Sequence, residues 1–243
     1  MEHDLWLTAL LNRFLAGPAN AVLNAVNVTH EATHPWSNWF SMELLVAAII
    51  VVLFAVLRAR LSVDNPGKLQ HLFELVYEFV RGQANDTIAH GADRYVGFFG
   101  TLFIFILFMN LIGIVPGFES PTMSPMVPLG LAVSAFVYYN WAGLRAQGVL
   151  GYLKQFIGPV WWLFFLMIPI EIISHLARPL SLTVRLFANM FAGEKVTFTF
   201  LTLTYFIAPT IFMGLHVFVA MLQAYIFMLL TIIYVSMAVA HEH

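Results

Sequence analysis

The amino-acid sequence predicts an all-α membrane protein with about five membrane helices and one amphipathic helix lying on the bilayer surface. Three observations predict it. Of 243 residues, 60% are hydrophobic and only 10% charged, with a mean hydropathy of +0.83, whereas a soluble domain is usually nearer one-quarter charged. The apolar residues gather in uncharged runs long enough to cross about 30 Å of hydrocarbon. Between the first two runs lies a polar stretch whose apolar residues keep helical spacing. The net charge of −2 leaves no basic footprint for nucleic acid. The absence of cysteine removes disulfides, thiol catalysis and cysteine metal sites. The opening MEHDLWLTAL lacks the basic region and small-residue cleavage site of a signal peptide, so the internal hydrophobic segments are expected to do the targeting.

Residues 1–38 carry Pro18, Asn20, Asn24, Asn27, His30, His34 and Pro35 and read as a leader with a short amphipathic piece. The rest, 39–243, reads as a single polytopic membrane domain. A first span at 39–57 ends at Arg58 and Arg60. In the stretch that follows, Pro66 suits a first helical position. Leu69, Leu72, Phe73, Val76, Phe79 and Val80 take one side and Lys68, His71, Glu74, Glu78 and Arg81 the other, the pattern of an interfacial helix. Residues 95–115 are an uncharged run of 21. A Pro- and Ser-rich turn, PGFESPTMSP, separates it from a span at about 126–144 that ends at Arg145. A polar connection with Lys154 leads to 159–177, apolar but interrupted by Pro169, Glu171 and His175. Two long helices are expected at about 178–208 and 210–240, divided near Pro209. There is no internal repeat and no low-complexity segment.

Lys and Arg set the orientation. The 58–94 loop holds Arg58, Arg60, Lys68, Arg81 and Arg94, the 116–125 loop none, and the leader only Arg13. The leader is therefore expected outside and the 58–94 loop in the cytoplasm. The parity of 159–177 decides the C-terminus: if it spans, the final HEH is outside, and if it is interfacial or re-entrant, HEH is cytoplasmic. Pro169 and Glu171 favour the second.

The ionisable residues inside these helices carry the functional information. An arginine taken to the bilayer centre costs at least about 3 kcal/mol on insertion scales, and it cannot escape by losing its proton. Arg185, in LSLTVRLFANMFAGE, is open to two readings: an ion pair with Glu171 or Glu194 of a neighbouring helix, or a working charge facing a polar pathway. The default for an intramembrane ionisable residue is functional. Ser181, Arg185 and Asn189 share one stripe. Glu194 lies nine residues on, roughly 180° round the helix and ~13.5 Å along it, so an intrahelical pair is excluded. His216 and Gln223, seven apart, share a stripe of the last helix. His216 reads either as a satisfied buried histidine or, facing Glu194, as a proton carrier. Gln223 can hydrogen-bond a guanidinium without cancelling its charge. Glu171, His175 and Arg178 lie on one face, as a polar edge or as part of a pathway. Asn110 either hydrogen-bonds between helices or lines an aqueous cavity. No metal-ligand spacing and no phosphate loop is present, so neither metal catalysis nor nucleotide binding has support.

These residues are also recognisable together. SLTVRLFANMFAGE resembles the signature helix of the subunit a family of F-type ATP synthases, the stationary proton-channel subunits of the membrane sector. PGKLQHLFELVYEFV, FMNLIGIVP and LQAYIFMLLTIIYVSMA resemble family stretches in the same order, so the likeness covers nearly all of 40–240. The resemblance implies a non-catalytic stator subunit in a bacterial inner membrane, without a cofactor of its own. Its last two helices would lie steeply tilted against a rotating ring of c subunits, with peripheral-stalk b subunits and the rest of the synthase as further partners. It implies that Arg185 faces the ring carboxylate and separates two offset half-channels. A proton would enter past Glu194 and His216, ride the ring and leave near Glu171, with Asn189 and Gln223 flanking Arg185. The guanidinium would favour the ionised ring carboxylate, since a nearby opposite charge lowers a carboxylic pKa. One departure stands: many bacterial members carry an acid three residues after the Asn of the second span, and here that position is Gly113. A proton-coupled secondary transporter would also place ionisable residues at the midplane, but the lack of a repeat and of paired broken helices speaks against it.

Overall fold

The computed structural model describes residues 5–25, 35–62, 66–89, 91–115, 117–155, 164–203 and 207–240. Seven α-helices account for nearly all of them: α1 Trp6–Ala25, α2 Asn38–Ala59, α3 Lys68–Thr87, α4 Asp93–Ile112, α5 Met126–Gln155, α6 Phe164–Leu203 and α7 Ile207–Val239, with a short 3₁₀ turn at Pro121–Met123. Five helices (α2, α4, α5, α6 and α7) are long and apolar enough to cross a membrane. α3 is not among these five, and its outward Leu69, Leu72, Leu75 and Phe79 are exposed while Val80 and Ala84 are buried. That division suits a helix resting against the bundle on one edge and in the interface on the other. It starts at Lys68 with Gly67 as its cap, two residues after the Pro66 start expected from sequence.

The leader is more ordered than a short amphipathic piece. α1 runs 20 residues with a kink at Leu15, and Pro18 cannot supply the N–H that would bond back to the carbonyl of the adjacent Phe14. Asn12 clamps it to the next segment, accepting from the Trp36 N–H at 3.0 Å and donating to the Trp36 carbonyl at 3.3 Å. Trp6 also meets Phe118 edge-on, with ring centroids 6.3 Å apart, so α1 lies at the same end of the bundle as the α4–α5 turn. His30 and His34 lie outside the described residues.

α5 does not stop at Arg145. Its helix continues to Gly148, whose φ of +73° breaks it before a last piece ending at Gln155. Only glycine adopts that backbone readily. Gln147 then ties this end to the end of α7, donating to the carbonyls of Ala238 and Ala240 at 3.0 and 2.7 Å. In the last piece Tyr152 donates to Asn140 Oδ1 at 2.7 Å. Burial pushes the Tyr152 hydroxyl up to about 12, so it stays a donor in any ordinary buffer.

The largest departure from expectation is α6. The segment at 159–177 and the helix expected from 178 are one helix over Phe164–Leu203, with Pro169 and Pro179 inside it. A proline interior to a helix removes one backbone bond and bends the axis without having to end it. Forty residues make ~60 Å of helix and the 33 of α7 make ~50 Å, far more than an upright span needs, so both must tilt or project. Pro209 falls in the first turn of α7, where its missing N–H has no helical partner to lose.

α7 is the axis of the packing, in contact with α3, α4, α5 and α6. Two apolar cores stack along it. Near one end Ile106, Met109, Leu186, Met190, Ala220 and Ala224 close together, and near the other Val80, Phe99, Tyr139, Met228, Ile232 and Val235. Alanines 220 and 224 on α7 and 132 and 135 on α5 are fully or almost fully buried. Small side chains let membrane helices approach closely, which is where their dispersion energy comes from.

Candidate functional site

α6 presents two faces. Ser181, Val184, Arg185 and Phe191 are exposed, while Leu182, Leu186 and Met190 are buried against the bundle. Arg185 thus projects from the outer face of a long apolar helix. Its Nη2 lies 3.4 Å from the Ser181 hydroxyl, and no described carboxylate comes within ion-pair distance of it. The bland reading, a structural pair with Glu171 or Glu194, is therefore not realised. Asn189, one turn on, is half-buried. α7 also exposes large apolar side chains: Ile211, Leu215, Phe218 and Met221 are all more than half exposed.

On the inner face α6 and α7 come close at Gly193. A Cβ there would stand 2.5 Å from Nδ1 of His216 and 3.1 Å from its Cε1, so the imidazole lies directly on the glycine. His216 is 8% exposed and its Nδ1 has no hydrogen-bond partner among the described residues. The next residue on α6 is Glu194, whose Oε2 is likewise buried and unpartnered. Leaving a buried acceptor unpaired costs about 1–3 kcal/mol. Two such proton-binding atoms, on adjacent turns of neighbouring helices, need a functional explanation. Glu119, in the turn after α4, is close enough for its charge to act on Glu194.

Further along α7 the inner stripe continues through Ala220 to Gln223, 7% exposed. Asn110 of α4, fully buried, donates to the Ala220 carbonyl at 3.2 Å and accepts from Thr122 at 2.8 Å. Thr122 in turn lies 2.7 Å from Ser120 Oγ, which donates to the Met109 carbonyl at 2.9 Å. Asn110 is thus an interhelical hydrogen bonder, fixed midway between His216 and Gln223 and pinned by the α4–α5 turn. The same turn explains Gly113. A Cβ at 113 would meet Ser120 Cβ at 2.8 Å and Ser120 N at 2.9 Å, so the chain has no room there for an acid.

A second polar cluster sits near the other end of α6. His175 Nε2 is 3.3 Å from Glu171 Oε1, and Arg178 Nη2 is 3.9 Å from the same oxygen. The His175 Nδ1 is 3.0 Å from the hydroxyl of Tyr139 on α5, itself 1% exposed. The Arg178 guanidinium covers the rings of Tyr139 and Tyr234 at 5.8 and 5.3 Å. An ionised carboxylate only accepts. The ring proton therefore belongs on Nε2, and the Tyr139 hydroxyl donates to Nδ1. His175 and Arg178 pack against protein, and Glu171 keeps about a third of its side chain exposed, 34%.

Sequence reasoning named Glu171, His175, Arg185, Asn189, Glu194, His216 and Gln223, and all lie on α6 and α7, with Asn110 reaching in from α4. Arg185 and Ser181 stand on the outer face; Glu194, His216, Gln223 and Asn110 form an inner group; Glu171 and His175 form a third. Three residues were missed. Gly193 was visible as a glycine inside the quoted motif, beside its acid. Tyr139 carried no signal, being one aromatic in an apolar run. Thr122 lies in a turn whose composition announces a loop and nothing more.

Comparison with known proteins finds relatives over nearly the whole chain. A family model described as the ATP synthase A chain matches residues 40–236. A protein of Solibacter usitatus named ATP synthase subunit a is 62% identical over 234 residues, covering 96% of this chain and 100% of its own. A subunit a of Koribacter versatilis is 49% identical over 244 residues, covering both chains in full. One of Sulfurimonas denitrificans is 42% identical over 200 residues, 82% of this chain and 89% of its own.

Proposed function

The chain belongs to the ATP synthase A chain family, and from that premise we propose that it is the proton-conducting stator subunit of an F-type ATP synthase in a bacterial inner membrane. It is not catalytic by itself. It works within the multi-subunit complex, against a ring of c subunits and beside the b subunits of the peripheral stalk.

One observation carries the reading: Arg185 stands on the exposed apolar face of α6 with no described carboxylate in reach. A permanent charge in that place is tolerable only if its counter-charge arrives on another polypeptide. A ring carboxylate passing Arg185 is held ionised by the guanidinium, gives up its proton on one side and takes another on the other. Ser181 and Asn189 orient the guanidinium, and Gln223, a neutral amide on the inner stripe of α7, adds no charge that would cancel it. Glu194 and His216 supply the outer half-channel, with Asn110 beside them. Glu171 and His175 supply the cytoplasmic one. The two groups lie at different heights on α6 and α7, so a proton cannot cross without the ring.

An odd number of described helices, five, is long and apolar enough to cross, which supports opposite sides for the two ends of the membrane domain. With the arginine-rich loop of α2 to α4 in the cytoplasm, the leader is outside and the end of α7 is cytoplasmic. The final HEH lies outside the described residues. The secondary-transporter alternative is not carried further, because the named relatives are ATP synthase subunits.

The test is Arg185→Ala in vesicles holding the assembled complex. ATP-driven proton pumping is expected to disappear while assembly survives, with a passive proton leak between the joined half-channels. Pumping at the normal rate would overturn the reading.

A further inference from the structure

Two neighbouring cavities play no part in the proton path. The larger, of about 1220 Å³, opens where the α3–α4 turn meets the ends of α5 and α7, and Arg94, Arg145, Tyr95 and Ser236 are among its walls. The smaller, of about 480 Å³, is a groove between α4 and α5 lined by Phe98, Val133, Ser134 and Val137. Tyr138 and Trp141 line both, so a polar mouth runs directly into an apolar channel.

The mouth is basic. Neither Arg94 nor Arg145 forms an ion pair with a described carboxylate. The adjacent Asp93 is already committed to Arg81, accepting from its Nε at 2.7 Å and its Nη2 at 3.3 Å. Arg145 lies over the Trp141 ring, 5.2 Å from its centroid, which pre-orients the guanidinium beside the entrance to the groove. Two guanidiniums on one cavity, neither paired with a described carboxylate, suit a phosphate, which takes their paired N–H groups two at a time.

The groove suits a hydrocarbon chain. Val133, Val137, Trp141 and Arg145 recur every four residues on one side of α5, a stripe ~18 Å long. Val133 and Val137 are exposed, and Tyr138 stacks flat on Phe98 at 3.6 Å to form the floor. Tyrosine and tryptophan between a charged mouth and an apolar channel mark the headgroup level of a bilayer. We propose that this is a binding site for an anionic phospholipid, its headgroup phosphate held between Arg94 and Arg145 and one acyl chain laid along Val137 and Val133 against Tyr138 and Trp141. Basic pockets between membrane helices on the cytoplasmic side are the places where anionic headgroups lodge. The site is independent of the proton path, and its occupancy seals a polar cavity that otherwise opens beside the end of α7.

The test uses the assembled complex in nanodiscs containing a trace of phosphatidylglycerol with a photoreactive group on its acyl chain, and peptide mapping of the cross-link. The expected result is labelling of α5 within 133–141. It should fall about fivefold for each of Arg94→Gln and Arg145→Gln, and fall also in Val137→Trp, which fills the groove and keeps both arginines. The corresponding phosphatidylcholine probe should label weakly in every variant. Three outcomes overturn the proposal. Equal labelling by both lipids, unaffected by the arginine substitutions, makes the groove a surface that any lipid wets. Loss of labelling on adding inorganic phosphate makes the mouth a site for free phosphate. No labelling in the assembled complex means that a partner helix covers the groove.

Discussion

The backbone of Gly193 and the imidazole of His216 touch: a single added methyl group on α6 would stand 2.5 Å from Nδ1. The contact sets where a buried, unpartnered proton-binding nitrogen lies relative to the neighbouring Glu194. Gly193→Ala raises helix propensity by about 1 kcal/mol, and the group it displaces is a side-chain ring, which can swing away. Stability of the assembled complex should therefore hardly move. Proton transfer depends on placement to within an ångström, so ATP-driven pumping should fall at least about tenfold. Vesicle acidification measured beside a thermal melt separates the two. Unchanged pumping with an unchanged melt would remove His216 from the path.

Tyr139 makes a different prediction, about a tautomer. With its hydroxyl donating to Nδ1 at 3.0 Å and Glu171 accepting from Nε2 at 3.3 Å, neutral His175 carries its proton on Nε2. Nitrogen NMR of histidine-labelled complex should show one such ring, identified by its loss in His175→Gln. Tyr139→Phe removes the donor to Nδ1 and should shift that nitrogen toward a free imidazole, leaving Nε2 protonated. Identical His175 resonances in both proteins would show that the hydroxyl does not set the ring.

The membrane helices were legible because uncharged runs of about 20 residues have few other uses, and the α3 stripe because its spacing was regular. That Glu194 cannot pair with Arg185 within one helix was legible too, since a nine-residue separation puts it on the opposite side of any α-helix. The continuity of α6 was not. Pro169 read as a break, and whether a proline bends or ends a helix depends on packing that spans α5 and α7. Nor were the interhelical contacts legible. Nothing in FAGE says that the glycine faces an imidazole, and nothing around Tyr139 says that a histidine 36 residues on will reach its hydroxyl.

Asn110 offers a stability test inside the same site. Its amide joins α7 to the α4–α5 turn through the Ala220 carbonyl and the Thr122 hydroxyl. Asn110→Ala leaves both buried groups without that partner, a loss of about 1–2 kcal/mol when tempered by the modest worth of hydrogen bonds between membrane helices. Thr122→Val should cost less, and the double variant less than the sum. The midpoint for heat release of the subunit from solubilised complex measures all three. Strict additivity would mean that the two side chains do not act through each other.

Gly113→Asp tests whether the family's missing acid could simply be restored. The added Cβ would meet backbone as well as side chain at Ser120, at 2.9 and 2.8 Å, and backbone cannot swing aside as the His216 ring can. Forcing a group into a closed site costs about 1–3 kcal/mol. Here the strain falls on the turn that holds Ser120, Thr122 and Asn110 in register, and a carboxylate against the neighbour of Glu119 adds like-charge repulsion. The variant should assemble poorly, with less subunit in the purified complex and no gain in pumping per complex. Gly113→Ala should show the assembly defect without the charge, which divides the steric part from the electrostatic one. If Gly113→Asp instead assembles fully and pumps faster, the turn yields easily and position 113 is an open stretch of the outer half-channel.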